Sequence, residues 1–400
     1  MRRKLVMTNA YFSYFLIGFV SVIFAPALPE MIKDFGLSLG QASLIFPARS
    51  LGTIVAVYVG GAWSDRIGRK PTIVGGAALL GLGSLGVAWG QSWPLVLAAF
   101  LLSSIGQGFV NSSVNALVAD LNTDRRGAAF NILHGIYGLG GILGPLAAGA
   151  FVMSNQGWRP VFLLSGVLWL ASTIFTLVLA FPPVYRGEKG ERIAVAAAAP
   201  RRRAAGGLLF AGLLSVAFLY NSTAWGLIGW INTYLKERAD IVPQALAAQM
   251  IPLFYIALTT GRFTWSRIAE GLGYGRVILL CALGPVVAFP MVIWGSNPWL
   301  VSTGVFVCGL FLSGLFPTSL AYATSRRPDI TGAIAGTMSV AMSLGTIVVP
   351  WLTGIIASRT SFQTGMTFIY LMVWALLAVS MAVSRVGAAG GPKHEAGAAA

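Results

Sequence analysis

The chain has 400 residues, of which 56% are hydrophobic and only 10% are charged; its mean hydropathy is +0.78 and its formal net charge is +15. Soluble proteins carry roughly 25% charged residues, so this composition excludes a soluble globular protein and also an intrinsically disordered chain. Lipid must form part of the solvent of this protein.

Twelve apolar stretches follow one another along the chain, each long enough to cross a hydrocarbon core of about 30 Å as a helix. They are predicted at residues 7–29, 40–63, 72–90, 94–119, 128–153, 160–182, 207–235, 244–268, 276–295, 299–323, 332–357 and 364–385. None of them alternates polar and apolar residues as the strands of a membrane barrel do. The sequence therefore predicts an all-α membrane protein with twelve transmembrane helices.

The basic residues gather at alternate ends of these stretches. The predicted face that holds both chain termini, here called the basic face, carries 20 of the 27 lysines and arginines. The opposite face carries Lys33, Arg159, Lys236, Arg238 and Arg359. Because cytoplasmic loops of membrane proteins are enriched in Lys and Arg, both termini are expected in the cytoplasm, with the chain in a cell inner membrane or plasma membrane. The positive charge is then a topology signal and a contact for anionic membrane lipids, and no nucleic acid is expected as a partner.

One long internal loop, residues 183–206, divides the stretches six and six. It predicts an N-terminal six-helix bundle at 1–182, a cytoplasmic linker, a C-terminal six-helix bundle at 207–385 and a disordered cytoplasmic tail at 386–400. Four positions of the first bundle, Asp65, Gly68, Pro145 and Gly149, have counterparts 205 residues later in Glu270, Gly273, Pro350 and Gly354. A duplicated six-helix unit is typical of transporters that bind their solute between two parallel halves.

The strongest local motif follows the second stretch and reads Gly61-Ala62-Trp63-Ser64-Asp65-Arg66-Ile67-Gly68-Arg69-Lys70. Asp65 can accept a charge-assisted hydrogen bond from an arginine or face a helix N-terminus, and Gly68 can turn the chain. The segment matches every position of the G-x-x-x-D-[RK]-x-G-R-[RK] motif, and the sequence resembles the major facilitator superfamily. The resemblance implies two pseudo-symmetric six-helix bundles that move by alternating access. It also implies a gating latch for the outward-open state, formed by Gly61, Asp65, Arg66, Gly68, Arg69 and Lys70.

Shorter patches are similar to the fucose–galactose–glucose:proton symporter family. They lie at residues 115–121, 131–135, 140–146, 229–235, 261–262 and 314–318. Those symporters commonly carry the proton on carboxylates within the membrane, but the matching positions here hold Asn111 and Ala224, and no Asp or Glu falls in the middle of a stretch. His134 is then the candidate for coupling, since histidine changes charge near neutral pH. The coupling ion, H⁺ or Na⁺, and a facilitator without any ion both stay open.

Polar and aromatic residues within the stretches are the candidate solute-binding residues. They are Arg49, Gln107, Asn111, Asn115, His134, Tyr137, Asn221, Trp225 and Trp230. An arginine at membrane depth costs at least ~2.5 kcal/mol, so Arg49 needs cavity water, backbone carbonyls or a bound anion. The three amides at 107, 111 and 115 share one helix face and suit either a hydroxyl-rich solute or hydrogen bonds between helices. Aromatic rings beside amides suit a sugar ring.

These residues predict a secondary transporter, working as a monomer, for a small polar solute, with a sugar preferred. One alternative is a proton-coupled antiporter that exports drugs or metabolites, since Gly140, Gly144, Pro145 and Gly149 partly match an efflux motif. Another is an organic-anion exchanger using Arg49 and Arg262. The sequence has no Walker motif, no His/Cys metal cluster and no Gly-x-Ser-x-Gly, so neither an enzyme nor a metal or cofactor is expected.

Overall fold

A computed structural model describes residues 2–122, 126–181, 204–327 and 330–389. Helices dominate this part of the chain, because within lipid a helix satisfies every backbone hydrogen-bonding group locally. The helices are α1 (Arg2–Val22), α2 (Phe24–Phe35), α3 (Leu39–Ala42), α4 (Ile45–Ile67), α5 (Arg69–Trp89), α6 (Trp93–Leu121), α7 (Arg126–Met153), α8 (Arg159–Val178), α9 (Ala204–Lys236), α10 (Gln244–Ala247), α11 (Met250–Leu272), α12 (Tyr274–Trp294), α13 (Pro298–Arg326), α14 (Thr331–Arg359) and α15 (Phe362–Ala389).

Eleven helical segments of the described residues are long and apolar enough to cross a membrane. Each coincides with one of the predicted stretches. The remaining stretch, predicted at 244–268, forms α10 and α11, and α11 is less apolar because it contains Arg262 and Arg267. The all-α membrane fold is thus confirmed, while the number of twelve crossings stays a prediction.

The first membrane segment is longer than predicted and is interrupted near its middle. It extends to Phe35, as α1 followed by α2, with a turn at Ile23. Pro26 has no backbone N–H, so it cannot bond the carbonyl of Val22, and the helical hydrogen bonding is interrupted there. The predicted end at residue 29 reflects the lower hydropathy beyond Pro29 rather than a helix end.

The predicted duplication is visible in the helix bounds. Helices α3 to α6 recur as α10 to α13, with every first and last residue 205 positions later. Gly68 joins α4 to α5 with a φ of 103°, and its counterpart Gly273 joins α11 to α12 with a φ of 80°. A Cβ would strain both turns, which explains why glycine stands at both positions.

Helices α1–α8 form one half of the described protein, here called the N-half, and α9–α15 form the C-half. Equivalent pairs pack in each half: α5 on α6 and α12 on α13, α4 on α6 and α11 on α13, α1 on α7 and α9 on α14. The halves meet through α2 on α9, α3 and α4 on α14, and α7 on α11. Most of the predicted linker and tail, residues 182–203 and 390–400, lies outside the described residues, since α9 begins at Ala204 and α15 reaches Ala389.

Candidate functional site

The two halves are closed against each other at the opposite face. Lys236 of the C-half donates a hydrogen bond to the Glu30 carboxylate of the N-half at 2.6 Å. Deeper in, the ring of Phe46 lies 5.5 Å from that of Trp230, centroid to centroid. Gly229 leaves room for this contact, because a Cβ there would lie 2.4 Å from the Phe46 ring. An ion pair and an aromatic contact therefore seal this face.

The contact between helices α7 and α11 can be followed along three glycines of α7 that are spaced by three residues. A Cβ built on Gly141 would lie 2.8 Å from the Tyr255 ring, and one on Gly138 would lie 3.2 Å from the Thr259 hydroxyl. A Cβ on Gly135, one turn closer to the basic face, would meet no atom within 4 Å. Farther toward the basic face, His134 of α7 and Arg262 of α11 are both exposed, so the space between the halves is open there.

Arg262 of α11 is exposed in this region. Its guanidinium lies against the phenol of Tyr220 and within electrostatic range of His134, which belongs to the other half and is also exposed. The Tyr255 phenol lies close to that of Tyr137 across the boundary between the halves. One arginine, one histidine and three tyrosines from both halves thus come together near α7 and α11.

The N-half side of this region is built by α1 and α6. The Tyr14 hydroxyl hydrogen-bonds Oδ1 of Asn111 at 2.5 Å and accepts a hydrogen bond from the Asn115 amide, which also donates to Asn111 Oδ1 at 3.0 Å. The Tyr14 ring packs edge-on against His134 with centroids 5.6 Å apart. The predicted amide face therefore exists, but much of it is turned toward α1 in hydrogen bonds between helices. Asn111 Nδ2 and Asn115 Oδ1 have no hydrogen-bond partner among the described residues.

Arg49 lies one level closer to the sealed face. It donates a hydrogen bond to the Ser21 carbonyl at 2.8 Å, and its guanidinium stacks 4.2 Å from the centre of the Phe24 ring. Gln107 donates to the hydroxyl of the same Ser21 at 2.9 Å. In the part of the chain that the structure describes, no carboxylate lies within 4 Å of Arg49 or of Arg262.

The described side-chain hydrogen bonds of Arg69 and Lys70 in the predicted gating motif all lie within the N-half. Arg69 donates to Asp65 at 2.5 Å and to Asp120 at 3.1 Å, so Asp65 accepts the predicted hydrogen bond from an arginine. Lys70 donates to the Leu177 carbonyl at 2.7 Å and so caps the C-terminal end of α8. The side chain of Arg66 is exposed. The motif therefore braces the ends of α4, α6 and α8, while its action as a latch between the halves stays a prediction.

The comparisons with known proteins bear on the whole chain. A model of the Major Facilitator Superfamily matches residues 10–326. The chain belongs to this superfamily. It is therefore a secondary transporter and a multi-pass membrane protein.

Relatives within the major facilitator superfamily are distant in sequence. An uncharacterized MFS-type transporter, YfkL of Bacillus subtilis, is 20% identical over 88% of each chain. The TsgA homolog of Erwinia tasmaniensis is 22% identical over 89% of each chain. Multidrug resistance protein 2 of Bacillus subtilis is 22% identical over 96% of this chain and 94% of its own length.

Solved structures with the same fold include a nucleoside transporter and a sugar symporter. The D323A mutant of the nucleoside transporter NupG superposes with a TM-score of 0.80 at 13% identity, over 96% of this chain and 100% of the other. The D-xylose-proton symporter gives a TM-score of 0.77 at 14% identity, over 96% and 97% of the two chains. At this identity the likeness establishes the fold, and the solute has to be argued from the site.

Two of the three α9 residues that are predicted to contact solute donate hydrogen bonds within the C-half in this conformation, and contact of all three with solute stays a prediction. Asn221 donates to the Met342 carbonyl at 2.8 Å and to the Thr346 hydroxyl at 2.5 Å, and so ties α9 to α14. Trp230 has no exposed surface, and its indole N–H donates to the Pro350 carbonyl at 2.9 Å. Trp225 is partly buried against the core. In this conformation Trp230 is inaccessible to a solute because the seal at the opposite face encloses it.

Tyr14 and Tyr255 are not among the residues that the sequence singles out, although both belong to the cavity region. Both are nearly buried within apolar stretches, at 2% and 5% exposure. A buried tyrosine needs a partner for its hydroxyl, so a tyrosine in mid-span is itself a signal for a polar site. This signal was weaker than that of the charged and amide residues, since tyrosine also occurs at membrane interfaces.

Proposed function

We propose that this transporter carries a small hydroxylated solute with a negative charge, such as a sugar acid, by alternating access. The observation that supports this proposal is Arg262, which is exposed between the halves with no carboxylate within 4 Å among the described residues. All 12 acidic residues of the chain lie near the ends of the apolar stretches or outside them. A solute anion would therefore supply the missing counter-charge.

The size of the electrostatic effect favours an anion over a neutral solute. Two opposite charges 4 Å apart attract each other by about 4 kcal/mol at an effective dielectric constant of about 20. The same field repels cations, so export of lipophilic cationic drugs is disfavoured at a cavity lined by Arg262.

Hydroxyl groups on the solute would bind the opposite wall of the cavity. Asn111 Nδ2 offers a donor and Asn115 Oδ1 an acceptor, while Tyr14 holds both amides in position. His134 and Tyr220 flank Arg262 on the two sides of the cavity. This combination of one cation and several neutral hydrogen-bonding groups suits a carboxylate that carries hydroxyls.

The proposal includes an inward-open conformation for this structure. The Glu30–Lys236 pair joins the halves at the opposite face, whereas His134 and Arg262 are exposed toward the basic face, and the positive-inside rule predicts that the basic face is cytoplasmic. In the alternate state the Glu30–Lys236 pair and the Phe46–Trp230 contact would open, and the cavity would close around Arg262.

A neutral sugar is the second candidate. The Tyr14–Asn111–Asn115 cluster favours it, because these groups bind hydroxyls without needing a charge. The similarity of short patches to the fucose–galactose–glucose:proton symporter family points the same way.

Counterflow in proteoliposomes separates the two candidates. Counterflow of D-glucuronate, D-gluconate and D-galactose is measured for the wild type, Arg262→Gln and Arg267→Gln. Arg267→Gln is the control, because Arg267 is an exposed arginine of the same helix, one to two turns away. We expect Arg262→Gln to lower sugar-acid counterflow at least about tenfold, in line with the loss of a charged hydrogen bond, and Arg267→Gln to leave it within about twofold. Galactose counterflow that Arg262→Gln leaves unchanged would support the neutral sugar. Sugar-acid counterflow at the wild-type rate in Arg262→Gln would overturn the proposal.

A further inference from the structure

A second polar cavity lies inside the N-half, separate from the cavity between the halves. Helices α1, α4, α5, α6 and α8 surround it, and its polar lining consists of Arg49, Ser84, Ser103, Ser104 and Gln107. The space open to the centre of a water molecule is about 10 Å³, which is room for about one water-sized particle. Apolar side chains, including Phe100, close the rest of its wall.

Arg49 brings a positive charge to this cavity with most of its donors unused. A guanidinium has five N–H donors, and the described residues provide one hydrogen-bond acceptor, the Ser21 carbonyl at 2.8 Å. The rings of Phe24 and Phe100 lie 4.2 and 5.8 Å from the guanidinium carbon. These rings exclude water, but they carry no negative charge that could balance the guanidinium. A charge in such surroundings is costly unless it is paired.

The neighbouring side chains restrict what can pair with Arg49. Ser104 donates its hydroxyl hydrogen to the Phe100 carbonyl at 2.7 Å, and Gln107 donates one of its two amide N–H groups to the Ser21 hydroxyl at 2.9 Å. Ser103 is 7% exposed, and its hydroxyl has no hydrogen-bond partner within the described residues. The cavity therefore has free donors on Arg49, Ser103 and the Gln107 amide, a net positive charge and little space. The charge excludes cations, and the size of the cavity excludes carboxylates and phosphates.

We propose that Arg49 and Ser103 bind a small inorganic anion of the size of chloride inside the N-half. The anion neutralises the guanidinium and joins α4 to α6, so it stabilises the N-half and supports transport without being the transported solute. This site is independent of Arg262 and of the identity of the solute.

Thermal unfolding of the purified full-length protein tests the site with chloride as the probe. Melting is followed while sodium chloride replaces sodium methanesulfonate at constant ionic strength, for the wild type, Arg49→Gln, Ser103→Ala and Arg262→Gln. We expect a saturable rise of the melting temperature with chloride in the wild type and in Arg262→Gln, and none in Arg49→Gln. Ser103→Ala, which keeps the charge, should raise the half-saturating chloride concentration about tenfold by removing one hydrogen bond to the anion.

Bromide supplies the position of the ion and a second readout. Crystals grown in sodium bromide should show an anomalous scattering peak beside Arg49. A wild-type protein without any chloride response would mean that water fills the cavity, and the proposal would be wrong. The proposal would also be wrong if Arg49→Gln and Ser103→Ala both keep the wild-type chloride response, or if the bromide peak lies at Arg262. Since Ser103→Ala is a small change, it keeps the test decisive even if Arg49→Gln does not fold.

Discussion

The Lys236 ammonium and the Glu30 carboxylate lie 2.6 Å apart and connect α9 of the C-half to α2 of the N-half. The Glu30 and Lys236 side chains are 23% and 42% exposed, so water screens the pair. The pair exists only while the opposite face is closed, because the two residues belong to different halves. It therefore contributes to the balance between the two conformations more than to the stability of either half.

Neutralising this ion pair should shift the protein away from the closed opposite face. A partly exposed ion pair contributes about 0.2–1 kcal/mol, so Glu30→Gln or Lys236→Gln should change the conformational equilibrium by about 1.5- to 5-fold. The exchange of both charges in Glu30→Lys/Lys236→Glu should restore it. A cysteine placed at Gly135, which faces open space, measures by its labelling how much protein has the opposite face closed. The native Cys281 and Cys308 are fully buried, so they add little to the labelling signal. An exchange variant that behaves like the sum of its single variants would contradict this prediction.

The aromatic contact at the closed face depends on the absence of a side chain at Gly229. Gly229→Ala would place a Cβ 2.4 Å from the Phe46 ring, and overpacking of this kind costs typically about 1–3 kcal/mol. We expect this variant to open the opposite face and to lower labelling at position 135. Gly207→Ala in the same helix, where nothing lies within 4 Å, is the matched control. Equal labelling of the two variants would show that Phe46 does not seal the face.

Arg238 caps the C-terminal end of α12. Its guanidinium donates to the carbonyls of Ile293 and Gly295, both at 2.7 Å, and stacks on the Tyr234 ring. Arg238→Gln leaves these carbonyls without a charged donor, so we expect a loss of about 1.5–3 kcal/mol in the free energy of unfolding. The melting temperature in detergent measures the effect. Arg359→Gln, an exposed arginine on the same face, should melt within a degree or two of the wild type; equal melting of both variants would argue against the cap.

Arg69 holds two carboxylates at once, Asp65 at 2.5 Å and Asp120 at 3.1 Å. Lysine keeps the charge but lacks the planar fork, so Arg69→Lys should loosen the junction between α4, α5 and α6. We expect slower solute counterflow, by a few-fold, with unchanged yield of folded protein. Arg276→Lys, at the corresponding end of the C-half and exposed, is the control. A wild-type rate in Arg69→Lys would show that the fork geometry does not matter for the transport cycle.

His134 is the predicted coupling residue, and its position beside Tyr14 and within range of Arg262 allows a direct test. His134→Gln keeps a hydrogen-bonding side chain but cannot carry a proton. If His134 couples transport to protons, this variant should lose solute accumulation driven by a pH gradient and keep solute counterflow in the same vesicles. Accumulation that persists in His134→Gln would place the coupling elsewhere.

Local sequence was enough for the helices, the motif and the duplication. The apolar stretches predict their helices because membrane lipid leaves the backbone no other partner for its hydrogen bonds. Gly68 and Gly273 mark equivalent turns because only glycine adopts their positive φ without strain. The sequence predicts too short a first membrane segment, since Glu30, Lys33 and Asp34 lower the hydropathy beyond Pro29 without ending the helix.

The partners of the polar residues were decided by tertiary structure. The sequence placed Gln107, Asn111 and Asn115 on one helix face, but the contacts with Ser21 and Tyr14 settled that this face turns toward α1. In the same way, nothing local separates Arg49, which lines a cavity inside the N-half, from Arg262, which faces the boundary between the halves. Helical periodicity fixes which residues share a face, but a membrane helix that is apolar nearly all round gives no signal for the direction of that face. Only the packing of helices that are distant in sequence sets that direction.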